Sequence, residues 1–317
     1  MSERRPSPEG VAAAAKRVAP HVTRTPILPA EWEGGRFLVK AECLQQSGSF
    51  KLRGATNRLL RLSKDERSRG VVAFSSGNHA QGVALAARRL GIEAVIVMPA
   101  DAPQVKLEAT RAAGAAIVLY DRDTESREEI GARLAAERGC VLVPSFDDVD
   151  IIEGQGSAGV EIGEQLGFQP DRLLVPCGGG GLASGIALAL PETEMIVVEP
   201  EGWDDMARSL EAGEIVPVGP DAPPTRCDAL QTKLVSPLTF GVLHARGARG
   251  VAVSEEEVER AMAFAMRTLR IVAEPGGSVA LAAALAGKAG PLTERSVVVV
   301  SGGNVDPALY ADILRRG

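Results

Sequence analysis

Lys51 lies in the run Ser47-Gly48-Ser49-Phe50-Lys51-Leu52-Arg53-Gly54, where a small-residue turn and an aromatic precede a helix-like stretch. Lysine ordinarily keeps its charged head in water. Held against Phe50 and near backbone amides, its ammonium form would be disfavoured. The neutral amine is the form that attacks a carbonyl carbon to make an imine. A helix-start lysine behind a capping serine would look the same, so Lys51 has to be read with the other loops that could do chemistry.

Four such loops follow apolar runs. Ser75-Ser76-Gly77-Asn78-His79-Ala80-Gln81-Gly82 follows a strand-like run and opens a helical one, so its amides and hydroxyls could hold a carboxylate at a helix N-terminus. An ordinary N-cap would use some of the same residues. Cys177-Gly178-Gly179-Gly180-Gly181-Leu182 has the same setting, and four glycines let main-chain N–H groups converge on a phosphate. It is neither a GxGxxG nor a GxxxxGK[ST] loop, and a tight turn would also use glycine. Ser301-Gly302-Gly303-Asn304 ends a strand, where a hydroxyl can meet a ring nitrogen or merely close a turn. Glu199-Pro200-Glu201-Gly202-Trp203-Asp204-Asp205 groups carboxylates that could collect a hard cation, although such runs are more often solvated. An amine nucleophile, a phosphate cradle, a carboxylate cradle and a hydroxyl for a ring nitrogen together describe one ligand. It is pyridoxal phosphate carrying an amino acid, with the cofactor as electron sink.

These loops need a frame that delivers them to one place. Apolar runs at 71–74, 94–98, 116–119, 141–143, 173–175, 195–198 and 297–300 read as strands, with helices at 79–89, 104–113 and 125–138. The alternation predicts an α/β protein of two lobes, each a mostly parallel twisted sheet flanked by helices. A compact block at 70–141 forms the small, mobile domain. Residues 1–69 and 142–317 form the large cofactor-binding domain. The stretch 217–227, rich in Pro and Asp, is expected to be irregular. Ligands in such sheets bind beyond the carboxyl ends of the strands, where all four loops fall.

Composition narrows the field. A net charge of −6 without a basic run argues against a nucleic-acid partner. No apolar stretch approaches a membrane span, and the first residues carry no signal-like apolar core. The four cysteines are dispersed and form no CxxC pair, as expected for a reducing cytoplasm, and the presence of only three histidines argues against a multi-histidine metal site. A non-catalytic phosphate-ligand binder would account for the glycines but would leave Lys51 and Ser301 unexplained.

SGSFKLRGA, SSGNHAQGVA, PCGGGGL and SGGN, in this order, resemble the pyridoxal-phosphate enzymes of the tryptophan-synthase-β type (fold type II), above all threonine/serine dehydratases and serine racemases. The resemblance runs from Thr25-Pro26 to Asn304. It implies that Lys51 carries the imine and acts as base on one face of the substrate α-carbon. It implies that Phe50 packs near the ring, that Asn78 bonds the ring hydroxyl, that Gly178, Gly179, Gly180, Gly181 and Leu182 bind phosphate, and that Ser301 faces the pyridine nitrogen. Ser75, Asn78 and His79 would hold the substrate carboxylate. A hydroxyl stabilises a pyridinium less than a carboxylate does, which favours prompt loss of a β-substituent. The implied reaction is conversion of L-threonine or L-serine to a 2-oxo acid and ammonia. Serine (amino-acid) racemase and 3-hydroxyaspartate dehydratase are the alternatives. Ser76 would be the acid/base opposite the lysine, as in racemases. Arg127 would bind a β-hydroxyl or a second carboxylate, unless it is a plain surface arginine. Glu199, the Trp203 carbonyl and Asp205 match a Mg²⁺ or Ca²⁺ site. A homodimer is also implied. Two segments depart from the family pattern: Ser145-Phe146-Asp147-Asp148, where relatives often carry His-Pro, and Cys227-Asp228-Ala229-Leu230, where Ala-Asp-Gly is more usual. Glu274 falls near the cofactor without an assigned role.

Overall fold

The computed structural model describes residues 4–33, 35–75, 77–102 and 104–316. Numbered along the chain, its strands are β1 (Ile27–Trp32), β2 (Gly35–Ala41), β3 (Val71–Phe74), β4 (Ala94–Pro99), β5 (Ala116–Tyr120), β6 (Val141–Leu142), β7 (Arg172–Pro176), β8 (Glu194–Pro200), β9 (Arg249–Val253) and β10 (Ser296–Val300). They form a six-stranded sheet in the order β1-β2-β10-β7-β8-β9 and a four-stranded sheet in the order β5-β4-β3-β6. Among the described strands, only the β1–β2 pair is antiparallel.

The sheets are covered by helices on both faces, which is why their central strands are continuous apolar runs. β10 reads Ser-Val-Val-Val-Val and is buried throughout. β1 and β9 were not anticipated because they lie at the edges of the large sheet and carry polar residues; β1 also carries Pro29, which an edge strand tolerates. β2 escaped notice because its Arg36 and Lys40 break the apolar run.

Helix boundaries follow local capping. The helix expected from 125 begins at Arg127, because Ser126 accepts a hydrogen bond from the Glu129 N–H and so becomes the N-cap. The helix over 79–89 spans Asn78–Leu90 and ends on Gly91 at φ 65°, a left-handed position natural to glycine. Residues 217–227 hold neither helix nor strand.

Leu142 pairs with Val72, so the small sheet extends one residue past 141. The helix Lys51–Leu60, which lies before residue 70, packs with that sheet: Leu52, Ala55 and Leu59 share one apolar core with Ala80, Val83, Ala87 and Ile151. Two further cores line the faces of the large sheet. Lys51 therefore stands where the two sheets meet. The loops after β3, β7 and β10 all open towards it.

Candidate active site

Lys51 is the first residue of the helix Lys51–Leu60. Its Nζ donates to the Ser145 carbonyl at 2.8 Å and stands 5.2 Å from the centre of the Phe50 ring. Burial lowers its pKa to about 8, so a usable fraction is neutral amine near neutral pH. The main chain before it is tied to the end of β10, for the Phe50 N–H donates to the Ser301 carbonyl at 3.1 Å. Lys51, Phe50, Asn78, Ser301 and Gly178 to Leu182 line a single cleft, together with Ser145, Phe146, Ala229, Leu230, Thr232 and Glu274. All of the expected cofactor residues thus come together from four separate stretches of chain.

The glycine loop leaves β7 and starts the helix Gly181–Ala189. Gly180 has φ 82°, and a Cβ there would press on Met206 and Thr239; at Gly179 it would overlap the Phe146 ring. The loop therefore needs glycine for conformation at one position and for room at the next. The first N–H groups of a helix have no intrahelical acceptor, and they carry the positive end of its dipole. That chemistry suits a phosphate. Together with the amine of reduced pKa and the buried Ser301, the cleft fits pyridoxal phosphate. The family pattern at 145–148 gave little warning of Phe146, yet its ring is a wall of this cradle.

On the small sheet, Asn78 is buried, and its amide bonds Glu274 and Asn304. His79 is also buried, with Nε2 2.9 Å from the Val143 carbonyl. A carbonyl only accepts, so Nε2 carries the proton and Nδ1 is a bare acceptor without a partner. Burial, reinforced by the nearby Lys51 charge, lowers the His79 pKa to about 3. A neutral ring committed in this way has no N–H for a carboxylate. What His79 can offer is its backbone N–H at the start of the helix Asn78–Leu90. The Ser75 hydroxyl accepts from the Gly77 N–H at 3.2 Å. Ser76, the expected acid/base opposite Lys51, lies outside the described residues.

Arg127 does not line the cleft around Lys51. Its guanidinium lies 5.6 Å from the ring centre of Phe74, the residue before Ser75, and bonds Glu128 at 2.8 Å. It is half-exposed, at the same end of the small sheet as the loop that opens the helix Asn78–Leu90.

Glu199 and Asp205 are both fully buried. Glu199 accepts from the Met206 and Ala207 N–H groups at 3.1 and 2.8 Å. Neither Asp205 carboxylate oxygen has a hydrogen bond of good geometry; its own amide, the Arg208 charge and the Val235 amide, all close by, offset burial only in part. Burial pushes Asp205 up to about 7, and burial with the neighbouring Asp205 pushes Glu199 well above the usual range. Trp203 donates its indole N–H to the Pro223 carbonyl at 2.8 Å. Among the described residues there is no cluster of three or more His, Cys, Asp and Glu side chains able to hold a metal.

Two features had no clear place in the sequence reading. One is Glu274. The other is a buried ionic knot behind Lys51. There Arg53 spans the Glu42 carboxylate at 2.7 and 2.8 Å and the Glu161 carboxylate at 2.7 and 2.8 Å, and Lys40 bonds Glu161 at 2.8 Å. The available signal was a cationic residue at a helix position that should face inward.

A family model described as pyridoxal-phosphate dependent enzyme matches residues 18–303. The chain is 44% identical over 311 residues to an L-threo-3-hydroxyaspartate ammonia-lyase from Pseudomonas sp., covering 95% of this chain and 96% of the relative. Its fold superposes on maize serine racemase with a TM-score of 0.90, at 35% identity, over 99% of this chain and 98% of that one. For a threonine deaminase from T.th. the TM-score is 0.87, at 41% identity, over 95% and 99% of the two chains. The chain belongs to the pyridoxal-phosphate-dependent enzyme family. Within it, the chain is a fold type II lyase of the dehydratase and serine racemase group. No helix among the described residues is long and apolar enough to cross a membrane.

Proposed function

We propose that the enzyme removes water and then ammonia from a β-hydroxy amino acid, and that L-threo-3-hydroxyaspartate is a better substrate than L-threonine or L-serine. The observation that carries the lyase reading is the placement of the Lys51 amine, with its pKa near 8, in one cleft with the glycine loop that opens the helix Gly181–Ala189 and with the start of the helix Asn78–Leu90, which would take phosphate and carboxylate respectively. When bound, pyridoxal phosphate supplies the sink for the electron pair left as the α-proton departs. Lys51 Nζ would accept that proton, and its hydrogen bond to the Ser145 carbonyl, which keeps it in the cleft, supports the role. Gly178 to Gly181 would hold the phosphate, Asn78 the ring hydroxyl and Ser301 the pyridine nitrogen. The amides that open the helix Asn78–Leu90, with Ser75, would fix the substrate carboxylate. Loss of the β-hydroxyl as water leaves an enamine whose hydrolysis gives a 2-oxo acid and ammonia.

In this reading Arg127, which stands outside the lining of the cleft, would meet the second carboxylate of the dicarboxylic substrate. It supplies a half-exposed cation beside Phe74 at the cleft end of the small sheet, and exchanging Glu128 for a second substrate carboxylate would cost little there. The Pseudomonas relative bears on the same point through its name. The test is 2-oxo acid release from L-threo-3-hydroxyaspartate, L-threonine, L-serine and D-serine. Lys51→Ala should abolish turnover on all four. Arg127→Ala should raise KM for hydroxyaspartate about tenfold, as expected for losing a charge-assisted contact, and leave threonine within about twofold. Equal losses on both substrates would remove Arg127 from this role. Racemisation is the second reading, since it depends on the serine at 76; enantiomer exchange by D-serine measures it directly.

A divalent cation, Mg²⁺ or Ca²⁺, is proposed between Glu199 and Asp205, with the Trp203 carbonyl as a further ligand. The unpartnered, buried Asp205 oxygens support it. With only two carboxylates the remaining ligands would be main-chain oxygens and water. The assembly proposed is a homodimer in the cytoplasm. The four cysteines are free and buried, and Leu44, Met266 and Val272 are exposed apolar side chains that a second copy would cover. Sedimentation at two ionic strengths tests the dimer.

A further inference from the structure

We propose that Glu274 is a positioning residue: its carboxylate fixes the Asn78 amide so that Asn78 presents an N–H, not an oxygen, to the cofactor. The proposal rests on the pyridoxal-phosphate reading of the cleft. The two groups that anchor this chain of hydrogen bonds can each play only one role. At one end is the Ser47 carbonyl, which can only accept. Asn304 Nδ2 lies 2.8 Å from it and must therefore be the amide NH₂. The same NH₂ is 2.7 Å from Asn78 Oδ1, so Asn78 turns its oxygen towards Asn304. Its own NH₂ is left facing the Glu274 carboxylate, with Nδ2 2.5 Å from Oε1. A flipped Asn78 would set NH₂ against NH₂ on one side and oxygen against carboxylate on the other. The orientation is thus determined by two neighbours that cannot exchange roles.

Nδ2 carries two hydrogens, and Glu274 uses one. The other is available to the cleft, which Asn78 lines beside Lys51. A hydrogen bond to a carboxylate is also among the stronger kinds, so the pin is stiff. The chain makes room for it. A Cβ on Gly302 would overlap Glu274 Oε1, and one on Gly48 would overlap the Asn304 amide. The main chain braces the same spot, for the Glu274 N–H donates to the Gly302 carbonyl at 3.0 Å and the Gly303 N–H donates to the Gly48 carbonyl at 2.8 Å. Glycines in both the lysine turn and the Ser301 turn are thereby accounted for by this arrangement without any phosphate. The arrangement also crosses between sheets. Asn78 follows the small sheet, whereas Glu274 and Asn304 belong to elements packed on the large one.

The test uses purified enzyme stripped of cofactor and titrated with pyridoxal phosphate, comparing wild type with Glu274→Ala, Glu274→Gln and Asn304→Ala. The readouts are the cofactor affinity from fluorescence and the ratio of the two near-ultraviolet and visible absorbance bands of the loaded protein. Both depend on what faces the ring hydroxyl. Glu274→Ala should weaken affinity about 10- to 100-fold and shift the band ratio, as expected for freeing an amide that was held by a charged partner. Glu274→Gln keeps an oxygen but loses the fixed role, and should weaken affinity roughly three- to tenfold. Asn304→Ala should shift the ratio in the same direction by less. Wild-type affinity and band ratio in Glu274→Gln overturn the proposal, even if Glu274→Ala fails to fold. Reduction with borohydride separates this failure from failure of the cofactor reading: wild type should gain a label on Lys51. An unlabelled wild type sinks the reading and the proposal together.

Discussion

Two buried groups of ionisable side chains flank the cleft and are built in opposite ways. Behind Lys51, Arg53, Lys40, Glu42 and Glu161 carry two positive and two negative charges. Thr25 donates its hydroxyl to Glu42 at 2.5 Å, and Lys40 is held further by the Thr25 carbonyl and Gln165. At the end of β8, Glu199 and Asp205 bring two carboxylates together with no cation bonded to either among the described residues; Arg208, whose charge acts on Asp205, is paired with Asp204. Burial acts on both groups, but the outcome differs. Glu42 is held below the usual carboxylate range despite complete burial, because the Arg53 charge and its hydrogen bonds outweigh desolvation. Glu199 and Asp205 are held above it. A buried charge is tolerated when its partners are supplied within the fold, and a group that lacks them must be neutralised or paired from outside. The first cluster is complete in itself, and the second is neutralised by protonation unless a cation reaches it.

The most damaging way to test this contrast is to open the complete cluster. Arg53→Met leaves Glu42 and much of Glu161 without their main partner and should destabilise the fold by about 3–5 kcal/mol in urea unfolding. Replacing Arg53 and Glu42 together by Met and Leu should recover at least half of that, since removing both charges removes the unpaired one. A loss below about 1 kcal/mol for the single change would show that the knot is not a closed network.

His79 represents a third solution, burial as the neutral form. Its folded pKa of about 3 lies below its ordinary value, so the unfolded chain binds the extra proton first. Stability is therefore full above about pH 6.5 and declines as pH falls towards 3. By about pH 4 the loss from this residue alone should reach about 3 kcal/mol. Urea midpoints at about pH 7 and pH 4 measure it, and His79→Gln should flatten the difference. An unchanged slope would place the acid sensitivity elsewhere.

The open cluster is probed by filling it. At roughly a hundredfold excess over its dissociation constant, a divalent cation should add about 3 kcal/mol, seen as a rise of several degrees in Tm that a chelator reverses. Asp205→Asn should remove the response and leave the cation-free protein no less stable. A cation-induced rise that survives in Asp205→Asn would locate binding outside this pair.

How much of this was legible in the chain depends on the kind of residue. The central strands could be read because continuous Val and Ile mark burial on both faces, and the loops at their ends could be read because glycine, serine and asparagine are rarely gathered there by accident. Lys51 and the glycine loop carried their chemistry in local pattern. Glu274 did not, for its partner Asn78 is 196 residues away along the chain and meets it only where the two sheets come together. Arg53 was hidden in plain view within the lysine motif, because a one-dimensional pattern cannot say that a helical arginine finds two carboxylates waiting inside. His79 shows the converse. Its position at the start of the helix after β3 was legible, but the commitment of its ring to Val143 was not.

The smallest effect sharpens the contrast from the surface. Arg122 and Asp101 form an ion pair at 2.7 Å, as short as those of Arg53, yet their side chains are 50% and 67% exposed. Water already solvates both partners, and holding two long side chains together costs entropy, so good geometry returns little. Arg122→Gln should change stability by less than about 0.5 kcal/mol, and less again at high salt. Distance is nearly the same in the two places. Burial and the number of carboxylates engaged are what differ, so an effect here approaching that of Arg53→Met would mean that neither gives the inner charges their weight.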